Sequence, residues 1–381
     1  MSHDLAHWLL TTSRHVLRAR STTPLPTQVP LGPGQFTRAA HAAARTLRDA
    51  DPRWCVVGAL PFDEDTPAAL ALGRVTATPR QRRPGPPAVP TGPHRVDTRG
   101  EAAYVGAVAK AVRRLRAGEA HKVVLARTLT LRRDIDPVAT LALLDRLHPL
   151  AHLFHVALDP PGTPGARALL GASPELLLTR QGDLLALNPL AGTASRHRDP
   201  VRDLAAAHAL AGSVKELREH ALVVDELRRV LHPLCTRLHI PDRPRLKAAG
   251  RLWHLCTPIR ARLRRPAPTA FALAALLHPA PAVCGLPRDA AHTLIRRLET
   301  RPRDYYGGLV GWTNRHGDGQ WVVALRCAQT DPDGVRLHAG AGILAESDPR
   351  RELAQTRAEF TTMLDALRPT PAVLSPSAAF R

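Results

Sequence analysis

Residues 171–196, GASPELLLTRQGDLLALNPLAGTASR, combine strand, turn and glycine loop around a single glutamate. A lone glutamate, Glu175, stands behind Pro174 at the head of an apolar strand. The chain then turns back through Gln181-Gly182-Asp183 and ends in a small-residue loop, Ala191-Gly192-Thr193-Ala194. A carboxyl group at a strand mouth, facing a glycine loop whose backbone N–H groups can hold an anion, suits acid chemistry on an anionic substrate.

Working outward, the 381 residues are 44% hydrophobic, enough for a large core in one big domain or two fused halves. No apolar run reaches the length that spans a bilayer, so no membrane partner is expected. The N-terminal MSHDLAHWLLTTSRHVLRAR carries charge on both sides of an apolar patch too short for a secretory signal. The five cysteines are odd in number and far apart, with no CxxC pair. That argues against a disulfide framework or zinc site and points to a reducing, cytoplasmic compartment. A formal charge of +20 invites a nucleic-acid reading, but the positives are spread along the chain and aromatics are only 4%. With no recognisable nucleic-acid motif either, no nucleic-acid partner is expected. A basic surface still steers small anions inward.

Of 53 basic side chains, only Lys110, Lys122, Lys215 and Lys247 are lysine. Arginine replaces lysine wherever charge alone is needed, but not where the amine must lose its proton. Lys122, in the alternating apolar strand AHKVVLART, is therefore a candidate base whose pKa burial would depress.

The periodicity predicts a helix near 36–49, a strand near 54–61 and a Pro/Arg-rich loop or linker over 79–98. It continues with a helix at 100–117, strand 121–132, helix 137–147, strand 152–159 and a hairpin over 168–190. One or two helices follow over 201–236, then strand 245–257 and helices near 268–277 and 288–299. A second hairpin over 307–330 turns at His316-Gly317-Asp318-Gly319, strand 335–344 follows, and a helix over 349–367 precedes a loose tail. Long hairpins between helices give an α+β fold with large, mainly antiparallel sheets. Residues 1–98 read as the N-terminal part of the sheet, 99–367 as the catalytic region and 368–381 as a flexible tail.

Further candidates lie in these elements. Glu216 and Glu219 are three apart on one helix face, as are Glu352 and Gln355, and such oxygen pairs can hold a hard cation such as Mg²⁺. Either pair is equally well a solvated face. Arg326 lies in the apolar strand WVVALRCA, where a carboxylate partner from protein or substrate is needed. His254 reads as a core histidine, and Gly340 and Gly342 mark either a close ligand approach or a bulge.

Together, HKVVLAR (121–127), GASPELLL (171–178), PLAGTASR (189–196), KELREH (215–220), LWHLCTP (252–258), LLHPAPAVCGLP (276–287), RDYYGGLVGW (303–312), ALRCA (324–328) and HAGAGILAESDP (338–349) resemble the chorismate-utilising enzymes. Within that family the isochorismate synthases are the nearest in kind. The resemblance covers roughly residues 100–367. It implies two α+β halves around a deep site and, as the expected activity, Mg²⁺-dependent isomerisation of chorismate for siderophore (2,3-dihydroxybenzoate) or menaquinone synthesis by a monomer. It implies Lys122 as the base that activates water for attack at C2, and Glu175 as the acid that protonates the departing C4 hydroxyl. Mg²⁺ would sit with Glu219, Glu216, Glu352 and Gln355. Substrate would meet Gly192, Thr193, His254, Tyr306 and Arg326 and the backbone at Gly340 and Gly342. Ala282 and Val283 resemble synthases that stop at isochorismate; a salicylate synthase is the second reading.

The chain departs from the family pattern at Gln355, where a metal-binding glutamate is usual, at Glu359, where lysine is usual, and at Ala280, where threonine is usual. The first two motivate a third reading, a catalytically weakened chorismate-binding relative.

Overall fold

The computed structural model describes residues 5–25, 29–80, 100–160, 163 and 165–367. The Pro/Arg-rich stretch beyond Arg80 and the tail from 368 lie outside the described residues.

Two nine-stranded sheets face each other, and a three-stranded sheet flanks them. The first runs Gly285–Leu286, Lys122–Leu131, Gly334–Ile343, Cys327–Asp331, Ala168–Ser173, His152–Ala157, Trp8–Thr11, His15–Ala19 and Thr76–Pro79. The second runs Cys235–His239, Ile259–Leu263, Leu184–Asn188, Leu176–Gln181, Gly319–Val323, Leu309–Asn314, Trp54–Leu60, Ala69–Arg74 and Thr22–Pro24. Neighbouring strands run antiparallel, and the N-terminal residues complete the outer edge of both sheets. Alternating apolar side chains such as Trp8, Val57, Phe154, Val310 and Val322 fill the space between the sheets. Helices Glu101–Arg116 and Pro349–Ala366 cover the first sheet, and Gln35–Asp49 and Ala270–Leu277 cover the second. This is the expected α+β architecture.

The predicted hairpin over 168–190 is divided between the sheets. Ala168–Ser173 belongs to the first, while Leu176–Gln181 and Leu184–Asn188 form the hairpin in the second. Pro174 has no N–H to donate to a ladder, so the chain leaves one sheet there and enters the other. The 307–330 segment divides in the same way, from Gly319–Val323 to Cys327–Asp331 through Ala324-Leu325-Arg326. Arg326 takes φ 49°, a left-handed conformation that turns the chain just before Cys327–Asp331 begins. The two crossings are adjacent, because Gly171 pairs with Cys327 and Leu176 with Val322. A Cβ on Gly171 would lie 2.7 Å from the Arg326 carbonyl oxygen, so only glycine permits this approach.

Of the one or two helices expected over 201–236 there are two, Pro200–Gly212 and Val214–Leu231, because Ser213 is extended and its hydroxyl accepts from the Glu216 N–H, capping the second helix. One further expectation is corrected. The 245–257 strand is a tight hairpin, Arg245–Ala249 with Leu252–Cys256, whose turn uses Gly250 at φ 62°.

Candidate active site

A cavity opens where the two chain crossings meet. Pro174 and Glu175 wall it from one crossing, Leu325 and Arg326 from the other. The three-stranded sheet brings Gly192, Thr193 and His254; the first sheet brings Gly340 and Gly342; helices bring Glu219, Gln355 and Glu359; and Tyr306 closes one side. Of the predicted site residues, all but Lys122, Glu216 and Glu352 line this space.

Glu175 is 3% exposed. Burial pushes its carboxyl up to about 7, opposed by the Leu190 N–H and by the charges of Lys247 and Lys122. Such a group keeps its proton near neutrality and can deliver it, which is what an acid catalyst requires.

Arg326 is buried, with no carboxylate within ion-pair distance among the described residues. Its guanidinium donates to the Ala249 carbonyl at 3.0 Å and to His254 Nε2 at 2.7 Å. Because Arg326 can only donate, Nε2 must be the acceptor and the ring proton must sit on Nδ1. Burial, reinforced by Arg326 and Lys247, pushes the His254 pKa well below its ordinary value, so the ring is neutral. Nδ1–H therefore donates to Thr193 Oγ1 at 3.1 Å, which leaves the Thr193 hydroxyl hydrogen free to point into the cavity. His254 is thus more than a core histidine: it fixes both neighbours as donors.

The 190–195 segment is a strand, not the loop expected. Its register slips between Ala191 and Thr193, with Gly192 at φ 75°. A Cβ on Gly192 would lie 3.2 Å from the Glu216 carbonyl, so the helix approaches closely here. The anion taken by the exposed Thr193 N–H is the protein's own Glu216 carboxylate, at 2.9 Å.

Lys122 is fully buried one layer behind the cavity wall, where its ammonium forms a 3.0 Å ion pair with Glu219 Oε1. The contact is close but poorly aligned for a hydrogen bond, so Nζ has no well-directed acceptor. Burial pushes the Glu219 carboxyl up, yet Lys122 and Lys215 together hold it below its usual value. Glu219 lies against Gly342, where a Cβ would be 2.0 Å from Oε1, so that glycine makes room for a carboxylate. The ladder passes through Gly340 and Gly342 without a bulge. Glu216 and Glu352 turn away from the cavity toward Lys215, which reaches Glu352 at 2.8 Å and Glu216 at 3.1 Å.

Among the described residues, no three His, Cys, Asp or Glu side chains converge as a metal centre. Glu219 and Gln355 remain on the wall, offering carboxylate and amide oxygens. These are hard donors of the kind Mg²⁺ accepts when substrate oxygens and water complete its shell. Glu359, one turn beyond Gln355, accepts the Gly340 N–H at 3.3 Å and a hydrogen bond from Gln355, and burial pushes its carboxyl up to about 7.

Two further lysines belong to the site. Lys247 donates to the Pro174 carbonyl at 2.8 Å and faces Glu175, while Lys215 bridges the outer glutamates. The scarcity of lysine was the available signal: Lys122, Lys215 and Lys247 all surround this site, and Lys110 is exposed.

The fold and the acid-lined cavity define a class, the chorismate-utilising enzymes. The chain matches the chorismate binding enzyme family over residues 70–368 and belongs to it. It is 45% identical to a Mycobacterium tuberculosis protein provisionally named isochorismate synthase MenF, over 87% of this chain and 90% of that one. It is 38% identical to isochorismate synthase DhbC of Bacillus subtilis, over 87% and 85%. Among solved structures, Bacillus anthracis DhbC, provisionally described as a 2,3-dihydroxybenzoate-specific isochorismate synthase, superposes with a TM-score of 0.84. The two share 31% identity, over 95% of this chain and 96% of that chain.

Proposed function

We propose that the protein is an isochorismate synthase. One observation carries the reading: a buried carboxyl that keeps its proton, Glu175, and a buried guanidinium without a protein carboxylate, Arg326, share one cavity. A ring acid whose hydroxyl must leave while its carboxylate is gripped fits that pair. Glu175 gives its proton to the C4 hydroxyl as the C4–O bond breaks, and the hydroxyl departs as water. A second water attacks C2, and its proton passes to the Lys122–Glu219 pair, which Glu219 presents to the cavity. Arg326, Tyr306 and the Thr193 hydroxyl hold the substrate's oxygens. If Mg²⁺ binds, Glu219 and Gln355 would hold it, and it would supply charge neutralisation for the ring carboxylate, with Lys122 paired to Glu219 behind them.

The Bacillus anthracis neighbour is described as 2,3-dihydroxybenzoate-specific, and a place in siderophore or in menaquinone synthesis suits the reaction. No described helix is long and apolar enough to cross a membrane. Five free, buried cysteines favour a reducing compartment such as the cytoplasm. Incubation with chorismate, with and without Mg²⁺, followed by product identification, tests the activity. Isochorismate without pyruvate is expected; equimolar pyruvate and salicylate would identify a salicylate synthase instead.

A further inference from the structure

We propose that Glu359 is a built-in competitor for the substrate's carboxylate and sets how weakly the site holds anionic ligands. The inference rests on the reading of the cavity as a chorismate site. Glu359 projects from the final helix into the end of the cavity where the donors gather: Arg326, Tyr306 and the Gly340 N–H. In this structure the Gly340 N–H is given to Glu359 Oε2, at 3.3 Å, and the Gln355 amide also donates to it. The Tyr306 hydroxyl lies beside the same glycine, 3.1 Å from where a Cβ would stand. Arg326, whose hydrogen bonds go to neutral partners, also feels the charge of Glu359 across the cavity. A substrate carboxylate reaching past Arg326 for the Gly340 N–H therefore meets an acceptor already using it. In its ionised form Glu359 would put a second anion into this buried space, and the two would repel far more than in water. Gln355 cannot relieve this, because its amide carries no charge. The donor end thus has a filter that ordinary carboxylates do not pass, and only a ligand gripped elsewhere in the cavity overcomes it.

The test is Glu359→Gln, which keeps an oxygen for the Gly340 N–H and removes the charge. The readouts are KM and kcat for chorismate with Mg²⁺, and calorimetric binding of chorismate in chelator, where turnover is stalled. The expected result is a KM lower by about 10-fold, with kcat changing less, and a similar tightening in chelator. Unchanged or weaker binding by a folded Glu359→Gln protein would overturn the proposal, and weaker binding would make Glu359 an attractive contact instead. Glu359→Ala guards against a rotamer effect of glutamine: it must tighten binding too, or the proposal fails. If the parent converts chorismate and neither variant binds it more tightly, the inference falls while the isochorismate reading stands. If the parent neither binds nor converts chorismate, the reading itself falls, and this inference with it.

Discussion

The two walls of the cavity handle buried charge in opposite ways. On the helical wall every cation has its anion: Lys122 with Glu219, and Lys215 with Glu216 and Glu352. On the opposite wall Arg326 is held by a carbonyl oxygen and a neutral imidazole. A buried pair contributes little net stability but is costly to break, whereas a buried charge with only neutral partners is a standing cost. The helical wall is a closed network, ready to hold and move a proton. The Arg326 wall is charge kept in reserve for a ligand.

The contrast predicts that removing a cation has opposite consequences on the two sides. Lys122→Ala is expected to lower kcat by about 10³-fold, within the range of a lost acid–base group, and to strand Glu219 at a cost of about 3–5 kcal/mol in urea unfolding. Retained turnover would remove Lys122 from the chemistry. Glu175→Gln is expected to lower kcat by about 10²-fold or more, yet to stabilise the fold at alkaline pH. The sign follows from the raised value: between about 4.5 and 7 the folded protein keeps a proton that the unfolded chain releases, so the parent loses stability as pH rises through that window. At pH 8.5 the variant should be more stable by on the order of 3 kcal/mol, and at pH 4 the two should unfold together. Arg326→Gln is expected to raise KM by about 10²-fold. Because Arg326 has no carboxylate partner, its melting temperature should equal or exceed the parent's; a fall like that of Lys122→Ala would abolish the distinction between the walls.

The smallest effect concerns Lys247. The alkaline limb of kcat/KM should have a midpoint near the Glu175 value of about 7, because the acid must be protonated. Lys247→Met removes a positive charge that holds this carboxyl down, so the limb should move to higher pH by a fraction of a unit. It should also lose about 1 kcal/mol with the hydrogen bond to the Pro174 carbonyl. A limb that stays in place would limit Lys247 to a structural role.

Much of this was legible in the chain. Alternating apolar residues gave Lys122–Leu131 and Gly334–Ile343, and helical spacing gave Val214–Leu231 and Pro349–Ala366. The motif order led to Glu175, Arg326 and Tyr306, which the structure brings to one cavity. The sheet crossings at Pro174-Glu175 and Leu325-Arg326 fall inside the expected hairpins, because period-two alternation continues through a residue that changes sheet. Glu216 and Glu352 looked equivalent to Glu219 and Gln355 on their helices, since three-residue spacing says nothing of which member faces a cavity. Lys247 has no local signal beyond its scarcity; its role appears only when the 245–256 hairpin folds over Pro174.

Which elements form, their α+β class and the kinds of side chain available follow from the residues in order, because backbone periodicity and motif identity are local properties. Only the tertiary structure decided who partners whom: that Lys122 is paired with Glu219 behind the wall, that Lys215 claims Glu216 and Glu352, and that Glu359 takes the Gly340 N–H. The physical reason is that charge states and hydrogen-bond partners depend on burial and on neighbours distant in the chain, and neither is set until the sheets close on each other.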